Sequence, residues 1–494
     1  MENFSLCLPL LSLWVASSTM LGFFAVKNKS GRNPAVPYAL CGLIIAAICT
    51  IALWPDEAST LTTFHGLLLM DRLGAVVTMM VILAGAATLA LSTDYFDRAR
   101  HKLPEIPILI VLAVSGMIVM ATTDHLGVIF LGLEIMSVAL YVLCASLRTR
   151  SVSVEAGTKY FLTGAFASGI FLMGIALIFG GTGEMSLAAI GPKLAAGNPL
   201  ALAGLLLLLA GFGFKISAAP FHQWAPDVYE GAPTPITGFM STAVKLVGFT
   251  ALLRVVGNMH VLDPTIHVTI GWLGVLTMLA GNIGALAQKS VKRLLAYSSI
   301  AHAGYLLLGV AALAMGSSDG PSASSAVIFY LVTYTLMNIG AFGVLALIEN
   351  REGKGLTFDD LAGLKTRQPL LAGTMFIFML SLAGIPPAAG FLAKWRLFEV
   401  LAFQMQGPES AFFTFLVAVL ILSSVIGLAY YLKVIVAMYM TPARDDAPTL
   451  ISPARLSQAI IVLCALLTLW LGFGPTLFGI GPEGVLSWVG QTTI

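Results

Sequence analysis

Charged side chains are scarce in this sequence of 494 residues: 10% are Asp, Glu, Lys or Arg, and 58% are hydrophobic. In a soluble domain, about a quarter of the residues are charged. The low charge therefore excludes a water-soluble fold. The net charge is only +2, and the basic residues lie in short segments between apolar runs, which excludes nucleic acid as a partner.

Cysteine is scarce too, and this bounds the chemistry. The five cysteines form no C-x-x-C motif and no Cys/His pair, so no metal or iron–sulfur site is expected.

No Lys or Arg precedes the first apolar run, whereas Glu2 does. We therefore predict that residues 4–26 form a first membrane helix and are not a cleaved signal peptide.

A cofactor-binding soluble domain is equally missing from the sequence. Gly211-Phe212-Gly213 has the spacing of part of a dinucleotide-binding loop, but it lies inside an apolar run and no strand precedes it. Glycines in such a run allow close packing of membrane helices. We therefore expect no nucleotide site here.

Long apolar runs occupy almost the whole chain, separated by charged or Pro/Gly-rich breaks. Each run approaches the length of about 20 residues that a membrane helix needs. There are about fourteen runs, which predicts an all-α polytopic membrane protein with one membrane domain over residues 1–494. The predicted spans are 4–26, 35–54, 73–92, 106–123, 125–147, 158–180, 200–219, 238–257, 266–287, 294–314, 324–349, 370–401, 410–438 and 456–479.

The loops between these spans differ sharply in positive charge. Loops after odd-numbered spans hold about seventeen Lys and Arg, and those after even-numbered spans hold about four. Basic residues stay on the cytoplasmic side of a membrane. The odd-numbered loops are therefore predicted to be cytoplasmic, with both termini on the outer side.

Two proline-rich segments interrupt predicted spans 7 and 12, at residues 217–239 and 381–391. At membrane depth such a break survives only where protein or water meets the freed backbone groups. Both segments read S-x-A, then Pro, then P-x-x-G-F, and they are five spans apart. This offset predicts two inverted-topology five-helix repeats. The predicted parts are three peripheral helices, repeats at 106–257 and 266–438, and a last helix at 456–479.

Four ionisable residues lie deep in predicted spans: Glu134, Lys215, Lys245 and Lys394. A charge at the bilayer centre costs about 2.5–3.5 kcal/mol on insertion scales, and such residues usually mark ion or proton paths. Lysine suits a relay because desolvation weakens its hold on the proton and a nearby carboxylate strengthens it. We predict that Glu134 and Lys215 pair as a switch and that Lys215 releases its proton towards Lys245.

The structural alternative is that the lysines snorkel to the interface or form static ion pairs. Snorkelling is favoured for Lys159 and Lys433, which lie near cytoplasmic helix ends, and disfavoured for Lys245, which has long apolar flanks. Fixation by carbonyl groups of the broken helices stays open for Lys215 and Lys394.

Two histidines lie where they could join such a path. His302, within predicted span 10, fits either a relay or a hydrogen bond that packs helices. His222, inside the first break, could bridge water-linked lysines or cap the freed carbonyl groups. Both alternatives stay open for each histidine.

These residues lie in long motifs, including K-I-S-A-A-P-F-H-Q-W-A-P-D-V-Y-E-G-A-P-T-P and V-K-R-L-L-A-Y-S-S-I-A-H-A-G-Y. Over nearly its whole length the chain resembles the antiporter-like membrane subunits of proton-pumping NADH:quinone oxidoreductase, respiratory complex I. The N-type branch fits best. The M-type carries glutamate in place of Lys394, and the L-type continues into a lateral amphipathic helix, whereas this sequence runs only to Ile494.

The resemblance implies proton transfer coupled to quinone reduction in a neighbouring subunit. It also implies that flavin and iron–sulfur clusters reside in partner subunits, with no cofactor in this chain. M-type and K-type membrane subunits are the expected neighbours, in the inner (plasma) membrane of a bacterium. The residues implied to transfer protons are Glu134, Lys215, Lys245 and Lys394, with Lys159, His222 and His302 in secondary roles.

Two other function classes were weighed. A subunit of a multi-subunit cation/proton antiporter shares these motifs and is the main alternative. A purely structural membrane scaffold would leave four buried ionisable residues without a role.

Overall fold

The computed structural model describes residues 4–25, 35–56, 59–98, 103–195, 197–258, 265–316, 320–349, 356–443 and 454–477. The helices are α1 (Leu8–Ala25), α2 (Ala35–Ala52), α3 (Arg72–Arg98), α4 (Glu105–Ala121), α5 (Leu126–Cys144), α6 (Ser151–Thr182), α7 (Leu187–Ala195), α8 (Pro199–Ile216), α9 (Trp224–Gly231), α10 (Thr234–Phe239), α11 (Lys245–Asn258), α12 (Thr265–Leu286), α13 (Val291–Ala314), α14 (Ala323–Ile348), α15 (Phe358–Leu361), α16 (Leu364–Arg367), α17 (Pro369–Ala383), α18 (Ala389–Gln404), α19 (Ser410–Tyr439) and α20 (Arg455–Leu477).

The helices confirm an all-α polytopic membrane protein. Within the described residues, 11 helices are long and apolar enough to cross a membrane, and the shorter apolar helices are Phe4–Met20, Glu105–Ala121 and Pro369–Ala383. Together they fall on all the predicted spans. Residue 26 of the first predicted span and residues 478–479 of the last lie outside the described residues.

Spans 7 and 12 are broken, as predicted. Helix α8 ends at Ile216, and Ser217 has a φ of +61°, a left-handed conformation that costs an L-residue about 1–2 kcal/mol. Helix α17 ends at Ala383, and the next residue, Gly384, has a φ of +82°, which suits glycine; Pro386 and Pro387 follow. Each span therefore exposes carbonyl groups at a point inside the membrane where no further helical turn binds them.

The chain forms two compact units. Within the described residues, unit 1 comprises 4–215 and 231–258, and unit 2 comprises 216–230 and 265–477. Each unit contains one series of predicted spans, 4–8 or 9–13, apart from residues 216–230, which belong to unit 2. The prediction of one membrane domain over residues 1–494 stays a prediction.

In unit 1, helices α4 and α5 pack with their backbones in contact. A Cβ on Gly116 would lie 2.6 Å from Met136 N, and a Cβ on Gly132 would lie 2.7 Å from Gly116 O. Neither position has room for a larger residue. The contact fixes the orientation of α5, which carries Glu134 two residues after Gly132.

In unit 2, helices α13 and α14 are buried along almost their whole length. Helix α13 packs against α12, α14, α18 and α19. Its polar side chains therefore face protein on every side, which is where an enclosed path can form.

A short antiparallel hairpin in unit 1 was not predicted. Strand β1 (Leu61–Thr63) pairs with β2 (Leu68–Met70), with Leu61 opposite Met70. Leu69 N donates to Thr122 O, and Thr123 Oγ1 donates to Leu67 O. The strands are too short for a periodic pattern to reveal them.

Candidate functional site

The Glu134 and Lys215 side chains of unit 1 are each held by a serine. Lys215, near the end of α8, is 3% exposed, and its Nζ donates to Ser137 Oγ at 2.7 Å. Ser168 Oγ donates to Glu134 Oε1. The two residues form no direct ion pair within the described chain, although the carboxylate acts electrostatically on Lys215. In the structure each of these two residues thus binds a serine hydroxyl group and not the other residue directly.

A tyrosine of α6 completes the surroundings of Lys215. Tyr160 is fully buried, its hydroxyl lies 3.4 Å from Lys215 Nζ, and its ring centroid lies 5.5 Å from the same atom. An aromatic face stabilises a cation by about 0.5–2 kcal/mol, depending on desolvation. The tyrosine ring therefore offsets part of the cost of burying a charged Lys215.

A small cavity joins these groups. Its volume is about 10 Å³, and Ser168, Tyr141 and Lys215 contribute its polar lining. A volume of about 10–15 Å³ on this measure holds one water molecule. One water there would meet both Lys215 and the serine that binds Glu134.

Lys159, by contrast, lies away from this cluster. It forms an ion pair of 2.7 Å with Glu155, one turn away on α6, and the two side chains are 45% and 60% exposed. The residue of α6 that reaches Lys215 is its neighbour Tyr160. Lys433 donates to Gln288 O at 3.1 Å and lies over the Phe358 ring.

Lys245 begins α11, immediately after a π-helical segment over Met240–Val244. Its side chain is 1% exposed, and all residues from Thr234 to Val256 are buried. Snorkelling to a membrane surface is therefore excluded for Lys245. Single π-helical turns within α-helices occur frequently at functional sites.

In unit 2, Lys394 binds the carbonyl groups that the second break frees. Its Nζ donates to Ala383 O at 3.0 Å and to Leu382 O at 3.3 Å, at the carboxyl end of α17. The side chain is 8% exposed, and Nζ lies 5.1 Å from the centroid of the Tyr305 ring. Carbonyl fixation, the structural alternative for this lysine, is thus present.

Lys394 also lines an open groove of about 460 Å³. Its walls are mainly apolar and include Trp395, Leu420 and Val425, with Ser424 contributing a hydroxyl group. Within the described residues, Lys394 has no carboxylate partner within 4 Å. Its environment thus differs from that of Lys215, which has Glu134 nearby.

His302 is the centre of a buried chain of hydrogen bonds. Its Nδ1 lies 2.6 Å from Tyr330 Oη, and its Nε2 lies 2.9 Å from Tyr431 Oη, which also bonds to Ser298. In a neutral imidazole one nitrogen donates and the other accepts, so the ring can take a proton on one side and release one on the other. The geometry fits a relay as well as helix packing.

His222 lies in the first break, half-buried. Its carbonyl group accepts from Ala225 N at 3.0 Å, while its Nδ1 is buried and has no hydrogen-bond partner in the described residues. Helix α9, which follows it, is held by an ion pair of 2.7 Å between Asp227 and Arg293. His222 Nδ1 therefore caps no freed carbonyl group among the described residues.

The sequence interpretation missed the hydroxyl groups at these sites. Ser137, Ser168, Tyr160, Tyr330 and Tyr431 all contact a predicted residue. Serine and threonine in membrane helices often bond to their own backbone, as Thr250 does here, so their presence alone is a weak signal. Buried tyrosines in apolar spans were the stronger available signal, because their hydroxyl groups need partners.

No metal-binding group was found among the parts of the chain that the structure describes: no three His, Cys, Asp or Glu side chains cluster there. That the chain carries no cofactor stays a prediction.

The chain is similar to known proteins along almost its full length. A family profile described as NADH:quinone oxidoreductase/Mrp antiporter, TM, matches residues 123–426. NADH-quinone oxidoreductase subunit N 2 of Roseiflexus castenholzii is 40% identical over 94% of this chain and 92% of its own. Subunit N of Salinibacter ruber is 41% identical over 94% of this chain and 93% of its own.

Solved structures agree with these relatives. A chain of respiratory complex I from Thermus thermophilus superposes with a TM-score of 0.80 at 34% identity, covering 95% of this chain and 98% of that one. A chain of an archaeal membrane-bound sulfane sulfur reductase and one of the Mrp complex from a Dietzia species give TM-scores of 0.82 and 0.78 at 23% and 22% identity. The last two show a shared fold only.

Proposed function

Because the chain belongs to the membrane-subunit family of NADH:quinone oxidoreductases and Mrp antiporters, and within it to the N subunits, we propose that its buried lysines, glutamate and histidine carry protons through the membrane. The chain is a membrane subunit of NADH-quinone oxidoreductase. Quinone reduction in the complex supplies the free energy for the proton transfer.

The observation that carries the proposal is the Lys215 site. A lysine enclosed by protein lies near a carboxylate, and a hydroxyl group binds each of them. A cavity of about 10 Å³ is lined by Lys215 and by Ser168, the serine that binds Glu134. A carboxylate that approaches a buried lysine favours its charged form, and one that withdraws favours proton release. In the structure Glu134 acts electrostatically on Lys215 without a direct ion pair, so a movement of either group would change how firmly the lysine holds its proton.

The second relay group is the chain of Ser298, Tyr431, His302 and Tyr330. Each hydroxyl group can donate one proton while it accepts another, and the imidazole ring does the same through its two nitrogens. These bonds support a role for His302 as a proton relay within unit 2. His222 and Lys159 have secondary roles in proton entry.

The remaining expectations are part of the same proposal. Flavin and iron–sulfur clusters belong to partner subunits, and this chain holds no redox cofactor. M-type and K-type membrane subunits are its neighbours. The protein lies in the bacterial inner membrane with both termini outside, which the loop charges of about seventeen against about four support.

An antiporter role is the alternative, since the matched profile covers Mrp antiporters too. The identities favour the oxidoreductase: 34% to the complex I chain against 22% to the Mrp chain.

The test is Lys215→Ala in the assembled complex, measured in inverted membrane vesicles. We expect a loss of NADH-driven proton pumping and of quinone reduction by about tenfold or more, since a positioned proton-transfer group contributes about 100-fold or more to a rate. NADH oxidation by a water-soluble artificial acceptor stays normal, because that reaction needs no proton transfer in the membrane. The control is Lys193→Ala, which removes a half-exposed lysine paired with Glu184. Unchanged pumping by Lys215→Ala at normal assembly would overturn the proposal.

A further inference from the structure

Tyr305 lies between His302 and Lys394 in unit 2. It follows His302 by three residues on α13, so both side chains project from the same face of the helix. It is 2% exposed, and its ring meets the His302 ring edge-on at 5.6 Å between centroids. The face of the same ring lies 5.1 Å from Lys394 Nζ. One side chain therefore contacts two residues of the proposed path.

The hydroxyl group of Tyr305 faces two other polar side chains, Asn282 on α12 and Ser424 on α19. Tyr430 donates to Asn282 Oδ1 at 3.1 Å, which fixes the amide so that Nδ2 is left to donate elsewhere. Asn282 Nδ2 and Ser424 Oγ are buried, and in the described parts of the chain neither makes a hydrogen bond of normal geometry, although both side chains lie near the Tyr305 hydroxyl group.

These unpaired atoms are informative because buried polar groups in native proteins are nearly always satisfied, by protein or by ordered water. Asn282 and Ser424 approach Tyr305 from two different helices, and Ser424 also lines the groove that contains Lys394. A buried water needs about two to four polar partners. The three side chains supply them at one place.

We infer that Tyr305, with Asn282 and Ser424, forms a proton-transfer junction that connects the His302 chain to Lys394. The inference rests on the proposed function. In the transfer, Tyr305 gives its hydroxyl proton to a water on the Lys394 side and takes one from a water bound at Asn282. The water at Asn282 regains its proton from the His302 chain, so it ends neutral. The water on the Lys394 side passes a proton to the neutral amine of Lys394. One proton moves, only O–H and N–H bonds form and break, and Tyr305 ends neutral.

The competing role for Tyr305 is structural: its ring could simply hold the Lys394 ammonium group in place. The two roles use different parts of the side chain. Phenylalanine keeps the ring and removes the hydroxyl group, whereas leucine removes both. The comparison of the two variants therefore separates transfer from positioning.

The experiment measures NADH-driven pumping by the whole complex in inverted vesicles, per assembled complex. Tyr305→Phe should lower pumping about fivefold or more, and Tyr305→Leu should add no more than about twofold to that loss. Tyr95→Phe is the matched control, because Tyr95 is 4% exposed and lies on α3, outside both sites. Near-normal pumping by Tyr305→Phe with a strong loss in Tyr305→Leu would show positioning alone and would overturn the inference.

If Tyr305→Phe assembles poorly, Ser424→Ala replaces it, since it removes one hydroxyl group from the same junction. A loss of about twofold or more is expected there, and normal pumping overturns the inference. Lys215→Ala is measured in the same vesicles. If Lys215→Ala fails to pump while Tyr305→Phe pumps normally, the junction is wrong and the proposed function stands. If both pump normally, both are wrong.

Discussion

The two units place a lysine beside a helix break in two different environments. Lys215 of unit 1 donates to a serine hydroxyl and lies near the carboxylate of Glu134. Lys394 of unit 2 donates to two backbone carbonyl groups and, among the described residues, has no carboxylate within 4 Å. Each lies against a tyrosine ring, at 5.5 Å and 5.1 Å.

Under the proposed function, this difference would suit the two lysines to different steps of proton transfer. A nearby carboxylate can hold or release a proton on Lys215 by moving, which suits a controlled entry. Neutral carbonyl groups stabilise the charge on Lys394 less and cannot be switched, so a proton that arrives next to Lys394 is what expels the one already there. Outward release across the membrane potential costs about 2.3 kcal/mol per 100 mV, so the exit site must yield its proton when repelled.

The largest effect that separates the two units is expected from Glu134→Gln. Glutamine keeps the oxygen that accepts from Ser168 but removes the charge that controls Lys215. We expect pumping to fall about tenfold or more. Proton uptake is followed in inverted vesicles with a pH-sensitive dye, with Glu134→Asp as the charge-preserving control. Equal pumping by the Gln and Asp variants would mean that the negative charge of Glu134 does not control Lys215. Lys215 and Lys394 would then not differ in the way proposed.

An intermediate effect is expected from Tyr431→Phe in unit 2. The change removes the hydroxyl group that joins His302 to Ser298 but keeps the ring. Pumping should fall about threefold to fivefold, less than for Glu134→Gln, because the Tyr330 contact of His302 remains. The same vesicle assay measures it, and Tyr95→Phe again controls for the loss of a buried hydroxyl group. A variant as active as the wild type would leave His302 with a packing role only.

The smallest effect is expected from Lys159→Ala. Its ion pair with Glu155 is half exposed and is worth about 0–1 kcal/mol, and the contact of α6 with Lys215 is made by Tyr160. We expect pumping within about twofold of wild type, well above that of Lys215→Ala. Parallel measurement of the two lysine variants decides the point. A loss as large as that of Lys215→Ala would show that Lys159 takes part in the proton path.

The spans, the two breaks and the burial of the lysines could be predicted from sequence, because each follows from local patterns. Apolar runs set the spans, and proline with a left-handed residue such as Gly384 ends a helix. The hydroxyl groups could not be predicted. Ser137 and Lys215 are 78 residues apart, and nothing local distinguishes Ser137 from a serine that bonds only to its own helix.

The predicted Glu134–Lys215 pair illustrates the same limit of prediction from sequence. Two opposite charges in apolar spans predict a contact, and the structure brings them into one site. Glu134 bonds to Ser168, and Lys215 bonds to Ser137. These partners depend on how α5, α6 and α8 pack. The roles of these residues stay predictions until they are tested.

If the lysines at both breaks release and rebind protons, arginine should not be able to replace either of them. Arginine keeps the positive charge but cannot give up its proton near neutral pH. The purified complex is reconstituted into vesicles, and protons pumped per NADH oxidised are measured for Lys215→Arg and Lys394→Arg beside the matching alanine variants. We expect each arginine variant to fail about as badly as its alanine counterpart. Near-normal pumping by Lys394→Arg would show that Lys394 is a static charge bound to carbonyl groups and does not release its proton.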